Sequence, residues 1–244
     1  MSLKMNIQDK PYVQLVNGRY GPCYVFKGDW YLGGSVISYG EYNKDECEHI
    51  VQLANEKKGL VIDIGANIGN ISQALISAGH QVVAFEPQPE VFELLKLNCP
   101  EATLHNVGLG SSNITMKMPK MDYSQKNNYG GVSLSLGGEL DVEVKTLDSF
   151  NFENVSLIKI DVEGFELQVL LGGTKTIANS KPIIYLEADR PDKLTSIAKK
   201  LEALGYTYTP HHPPLFNPDN FFKNTRNIWE RHIVSDNWEC RPTS

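Results

Sequence analysis

Apolar and polar positions along the chain follow two rhythms. Residues 11–26 hold two runs rich in β-forming side chains on either side of Asn17-Gly18, a dipeptide that favours a two-residue turn, and so predict a β-hairpin. Residues 44–57 carry apolar side chains at Cys47, Ile50, Val51, Leu53 and Ala54, the spacing of an amphipathic helix that ends before Gly59. From Leu60 the pattern changes. Strands are predicted at 60–64, 82–85, 157–160 and 183–186 from short, nearly all-apolar runs, and 103–107 is a further strand candidate. Helices are predicted at 68–79, from Pro89 through Leu95, at 165–171 and at 192–204. Pro89 suits a first helical turn, where its missing N–H has no partner to lose. Between 108 and 150 the segments ITMKM, GGVSLSL and LDVEVKTL alternate with period two, predicting added antiparallel strands or a loop over the site. In residues 206–234 the last part, 227–234, is expected to return as a hairpin strand.

Short apolar strands alternating with helices call for an α/β fold, a doubly wound, mostly parallel sheet covered on both faces. The expected division is an N-terminal β/α extension over 1–58, a main domain over 59–234 with an insert at 108–150, and a tail at 235–244. The 244 residues are 41% hydrophobic and carry a formal charge of −6, which suits a folded protein without a long disordered tail. Lysines and arginines form no basic stripe, so nucleic acid is not an expected partner. No run approaches the roughly 18 apolar residues that span a bilayer. Residues 1–10 lack the apolar core of a secretory signal, and four scattered cysteines form no CxxC pair, so a reducing, cytoplasmic setting is expected.

In an open α/β sheet, ligands sit beyond the C-terminal ends of the strands. The candidate loop is Asp63-Ile64-Gly65-Ala66-Asn67-Ile68-Gly69, in which Gly65 lets a ligand approach the backbone and Gly69 allows close packing at the helix start. Glu86 ends the next strand, placed to accept the two hydroxyls of a ribose. This loop is GxxxG rather than the GxGxxG of dinucleotide sites, and Asp63 disfavours a pyrophosphate. A ribose joined to a cationic group, as in S-adenosylmethionine, fits better. Helix capping by Asp63 and Asn67 is the plainer alternative.

Four segments in order, DIGANIGN (63–70), AFEPQPEVFELLKLN (84–98), VKTLDSF (144–150) and IKIDVEGFELQVLLGG (158–173), resemble the FkbM family of S-adenosylmethionine-dependent methyltransferases. The resemblance implies a Rossmann-like, seven-stranded sheet and methyl transfer, commonly to an oxygen. It also implies that Asp63, Gly65, Asn67 and Glu86 hold the cofactor, with Asn106 and Val107 near the adenine and Asp161 beside the methyl-transfer centre. Glu41 lies in a family-like stretch and is a further candidate for cofactor contact.

Transfer of a methyl to a hydroxyl needs a group to take the hydroxyl proton. The catalytic candidates are Asp161, His211 and His212; imidazole titrates near neutrality, and Pro213-Pro214 would stiffen the loop that presents the two histidines. Idle histidines on a surface turn are the other reading. Asp161, Glu163 and Glu187 leave neighbouring strand ends and would suit Mg²⁺ if they converge, although helix capping explains them without a metal, and none is expected. The acceptor expected is a small molecule or glycan: a sugar, lipid or secondary metabolite. The alternatives are a non-catalytic S-adenosylmethionine-binding or regulatory protein and an NAD-dependent oxidoreductase.

Overall fold

The computed structural model describes residues 5–134 and 138–243. Its centre is a seven-stranded sheet of β3 (Leu60–Ile64), β4 (Val82–Phe85), β5 (Thr103–His105), β9 (Val155–Ile160), β10 (Ile183–Glu187), β11 (Tyr206–His211) and β12 (Asn237–Pro242), in the order β11-β12-β10-β9-β3-β4-β5. All neighbouring pairs are parallel except those made by β12, which runs against both β10 and β11. The expected seven-stranded, doubly wound sheet is present.

Period two explains why these strands read as unbroken apolar runs. Ile62, Val83, Phe85, Ile158, Ile184 and Leu186 pack on one face with Leu170, Ile177, Ile197 and Leu201 of helices α5 (Glu166–Gly172), α6 (Thr174–Ser180) and α7 (Pro191–Ala203). Val61, Val82, Ala84, Leu157 and Tyr185 point the other way, toward Ile50, Leu53, Leu75 and Leu95 of helices α2 (Lys44–Glu56), α3 (Asn70–Ser77) and α4 (Pro89–Asn98). The central strands are therefore covered on both faces, while the edge strands β5 and β11 are mostly half-buried or exposed, and each large aliphatic side chain that is buried contributes about 1.5–3 kcal/mol by leaving water. Pro89 and Pro191 both occupy first-turn positions.

The N-terminal segment forms the hairpin β1 (Val13–Gly18) and β2 (Gly21–Phe26), then helix α1 (Leu32–Tyr39), which the sequence pattern did not reveal. The turn falls at Arg19-Tyr20, not at Asn17-Gly18, since Gly18 pairs with Gly21. The reason lies outside the hairpin. Arg19 N–H donates to Gly40 O at 2.7 Å, and a Cβ on Gly18 would meet that same oxygen at 2.7 Å. Gly18 marks a close backbone approach rather than the turn.

Within the insert, β6 (Gly108–Leu109), β7 (Ile114–Met118) and β8 (Leu140–Lys145) make a small sheet ordered β6-β8-β7. Of GGVSLSL, residues 130–134 pair with no strand, and Ser135 and Leu136 lie outside the described residues. The C-terminal expectation needs correction. Residues 227–234 are not a sheet strand; β12 at Asn237–Pro242 returns beside β11, inside the segment read as a tail. Trp238 and Cys240 alternate onto the core, the period-two signal that marks this strand. Among the described residues, no helix is long and apolar enough to cross a membrane.

Candidate cofactor and acceptor cavity

A cavity of about 540 Å³ opens at the C-terminal ends of β3, β4, β9 and β10. One half is built by the loop after β3 and the end of β4. Gly65 has φ +75°, and a Cβ there would overlap the carbonyl oxygen of Asp161, so only glycine lets the two strand ends lie this close. Asn67 is also left-handed, with φ 52°. These turns aim the Asn67 N–H at Glu86 Oε2 (3.1 Å), while Gln88 N–H donates to Glu86 Oε1 (2.8 Å). Each carboxylate oxygen accepts more than one hydrogen bond, so Glu86 keeps capacity for two ligand hydroxyls. Burial pushes its carboxyl up to about 7, against the pull of those two amides.

Gly65, Ala66, Asn67, Glu86 and Val107 line this half, as do Asn128, Gly130 and Gly131 of the insert. The insert is tied down by Gln88, whose Nε2 donates to Tyr129 O (3.1 Å) and whose Oε1 accepts from the Tyr123 hydroxyl (3.1 Å). Three expected cofactor residues sit behind the wall instead. Asp63 is fully buried, accepts from Ser72 Oγ (2.7 Å) and pairs with Lys159 (3.4 Å). Asn106 Nδ2 donates to the carbonyls of Glu86 (2.8 Å) and Pro87 (3.2 Å), fixing the strand end that carries Glu86. Gly69 packs beneath, where a Cβ would crowd Cys99 and Leu95.

Glu41 is away from the cavity. Its carboxylate takes Arg19 Nε (2.6 Å), Asn217 Nδ2 (3.1 Å) and Phe221 N–H (2.9 Å), stapling the N-terminal segment to the C-terminal loop.

The other half of the cavity is lined by Tyr31, Tyr42, Asn43 and Glu46, by Lys159, Asp161 and Glu163, by Glu187 and Asp189, and by 233–237. Lys159 interrupts the apolar run of β9; its buried ammonium donates to Gly65 O (3.0 Å) and pairs with Asp63 and Asp161 (3.5 Å). Burial opposes that charge, but Asp63, Asp161 and Glu46 outweigh it and raise its pKa. Asp161, Glu163 and Glu187 do converge, with carboxylate oxygens within 4.8 Å of one another. Arg190, however, donates to Glu163 and to Glu187 (3.0 Å) and Asp189 (2.8 Å). A hard cation would have to compete with that guanidinium, so the donor set does not fit Mg²⁺ well. Burial, then Asp161 and Glu163, push the Glu187 carboxyl up to about 10.

Neither histidine expected as a base lines the cavity. His211 Nδ1 bonds the Tyr185 hydroxyl (2.8 Å) and its ring lies 4.1 Å from that of His49. His212 Nδ1 meets Asp236 Oδ1 (2.8 Å) on the exposed surface. The partners of the two rings hold them there: Tyr185 for His211, the last residue of β11, and Asp236 for His212, just beyond it.

The match to known families agrees with this geometry. The family model described as "Methyltransferase FkbM domain" matches residues 63–208, more than half of the chain. The chain belongs to the FkbM methyltransferase family. Methyltransferase 1 of Beauveria bassiana is 27% identical over 161 residues, and the hexuronic acid methyltransferase AglP of Haloferax volcanii is 26% identical over 137. These alignments cover 52% and 53% of this chain but only 63% and 56% of the relatives, so the chain spans less than two thirds of each. The crystal structure of methyltransferase FkbM from Methylobacillus flagellatus superposes with a TM-score of 0.51 at 19% identity, over 75% of this chain and 43% of that one. That likeness establishes a shared fold. In this FkbM chain the sequence had pointed to Gly65, Asn67, Glu86 and Asp161, all on the cavity wall. Asn43, Glu46, Lys159, Arg190 and Asn237 went unrecognised; a lysine within the apolar run of β9 was the one legible signal among them.

Proposed function

We propose that this FkbM methyltransferase uses S-adenosylmethionine to methylate a hydroxyl of a sugar or related polyol. The observation that carries the reading is the single cavity that joins the Gly65–Asn67–Glu86 wall to the Asp161 strand end. Glu86 would hold the ribose hydroxyls, the Gly65–Asn67 turn the methionine portion, and Val107 the adenine. When bound, the cofactor supplies an electrophilic methyl on a sulfonium that leaves as the neutral thioether. The chain's part is to hold the acceptor hydroxyl in line with that carbon, a gain that reaches about 7–11 kcal/mol in well-oriented reactions. Asp161 is assigned as the proton acceptor: Lys159 pairs with its Oδ2, and Oδ1 takes the proton as the new C–O bond forms. The half-exposed Asp161 side chain reaches the cavity, as the histidines do not. The printed activity of the Haloferax relative supports a sugar acceptor. A cytoplasmic setting and an acceptor that is not nucleic acid belong to the same reading.

The test is calorimetric titration of cofactor-stripped protein with S-adenosylhomocysteine and with NAD, for wild type and Glu86→Ala. S-adenosylhomocysteine should bind wild type and weaken in the variant. Binding of NAD alone would replace this reading with an oxidoreductase. Cofactor binding without labelled-methyl transfer to any acceptor in a sugar and polyol panel would favour a regulatory role.

A further inference from the structure

The acceptor half of the cavity is strongly anionic. Asp29, Glu46, Asp161, Glu163, Glu187 and Asp189 line it, and among the described lining residues Lys159 is the only lysine or arginine. Most of these carboxylates have a counter-charge: Arg190 serves Glu163, Glu187 and Asp189, and Lys159 serves Asp161. Glu46 has none within ion-pair distance among the described residues. It is 6% exposed, bonds the side chains of Asn43 and Ser235 and feels Lys159 only at longer range, and burial pushes its carboxyl up to about 7. A buried carboxylate without a cation costs several kcal/mol unless something compensates it.

The wall around Glu46 is incomplete in a second way. Asn43 and Asn237 are each 4% exposed and line the cavity, yet Asn43 Oδ1 and Asn237 Nδ2 have no hydrogen-bond partner among the described residues. Asn43 Nδ2 reaches Ser235 Oγ at 2.9 Å, two residues before Asn237, and all of these side chains line the same cavity. The patch holds an unpaired acceptor, an unpaired donor and a carboxyl that burial holds back from ionising. An ammonium answers the acceptor and favours the ionised carboxylate, and a neighbouring hydroxyl answers the donor.

We infer that the Asn43–Glu46–Asn237 patch seats an ammonium group of the methyl acceptor, making that acceptor an amine-bearing sugar or polyol rather than a uronic acid. This inference rests on the methyl-transfer reading for the word acceptor. A carboxylated sugar would meet Asp161 with like charge and find, among the described lining residues, only Lys159 as a cation, already paired with Asp63 and Asp161, which disfavours it at close range.

The test titrates D-glucosamine, methyl α-D-glucopyranoside, D-glucuronate and MgCl₂ separately into protein loaded with S-adenosylhomocysteine, and again into the ligand-free protein. D-glucosamine should bind wild type at least about tenfold more tightly than either other sugar. Glu46→Gln should remove about tenfold of that affinity and leave S-adenosylhomocysteine binding unchanged. Asn237→Ala, a smaller change at the patch, should weaken D-glucosamine less and likewise spare the cofactor; thermal unfolding confirms that both variants fold. The inference is overturned if D-glucuronate binds as well as D-glucosamine, if D-glucosamine fails to bind, or if Glu46→Gln leaves its affinity unaltered. Mg²⁺ binding that Glu46→Gln abolishes, without sugar selectivity, would assign the patch to a metal and overturn it too. Failure of S-adenosylhomocysteine alone, with D-glucosamine still bound through Glu46, would bring down the methyltransferase reading and leave the amine seat standing.

Discussion

The two halves of the cavity are assembled in different ways. The wall around Gly65, Asn67 and Glu86 comes from two consecutive strand ends, and its hydrogen bonds run largely between backbone amides and one carboxylate. The wall around Asn43, Glu46, Asp161, Glu187 and Asn237 draws on the N-terminal helices, two strand ends and the C-terminal return strand, and its contacts run mostly between side chains. A wall made from local turns is shaped mainly by residues near one another in the sequence, with Lys159 and the Asp161 strand end as its distant supports. One made from distant side chains can be altered residue by residue without disturbing the first, so on the proposed reading cofactor binding and acceptor choice are separable.

Lys159 touches both halves and offers the largest break in this separation. Lys159→Met leaves fully buried Asp63 without its cation and frees Gly65 O, so it should cost about 3–5 kcal/mol of stability in denaturant unfolding. A variant that stays as stable as wild type would show that the halves do not depend on this bridge. Glu86→Ala strikes one half only. Loss of its charge-assisted contacts should weaken S-adenosylhomocysteine by about 1.5–3 kcal/mol in calorimetry, with little change in D-glucosamine binding.

A pH series sharpens the same contrast. Burial holds the Glu86 carboxyl at about 7, above its ordinary value, so the ligand-free site is largely protonated below that pH. Ribose hydroxyls donate to the ionised form, so S-adenosylhomocysteine affinity should rise as pH passes upward through about 7 and level off above it. A single proton sets a limit of about tenfold per pH unit. Glu86→Gln should flatten this rise, and a rise that persists in the variant would assign it to another group. The smallest effect is expected outside both halves. His212→Ala removes one side of an exposed pair with Asp236 and should change stability by less than about 0.5 kcal/mol, leaving cofactor affinity intact. A large loss of methyl transfer in that variant would return the histidine to the reaction.

These contrasts mirror what could be read before any coordinates. The β3 loop and Glu86 were legible because turn chemistry is local: a left-handed glycine, a strand end and an acidic residue on the next strand are written close together. The parallel sheet was legible because both of its faces are buried, which turns each strand into an apolar run. Asp63 misled in part. Its spacing suited a ligand contact, but a lysine on β9, far along the chain, drew its carboxylate beneath the loop. The histidines misled because a titratable type near a Pro-Pro stop says nothing about where the strand turns its side chains. Asn17-Gly18 misled because the glycine answered a backbone oxygen contributed by Gly40.

By itself, then, the sequence determined the alternation of the central parallel strands with their helices, the family and the glycine loop after β3, because each depends on periodicity or on residues a few positions apart. The tertiary structure decided that β12 lies at 237–242, that Arg190 gathers three carboxylates, and that buried Glu46 lines the cavity with no direct ion pair among the described residues. Charge pairing and burial between distant segments have no signature in spacing. They exist only once the chain has brought those segments together.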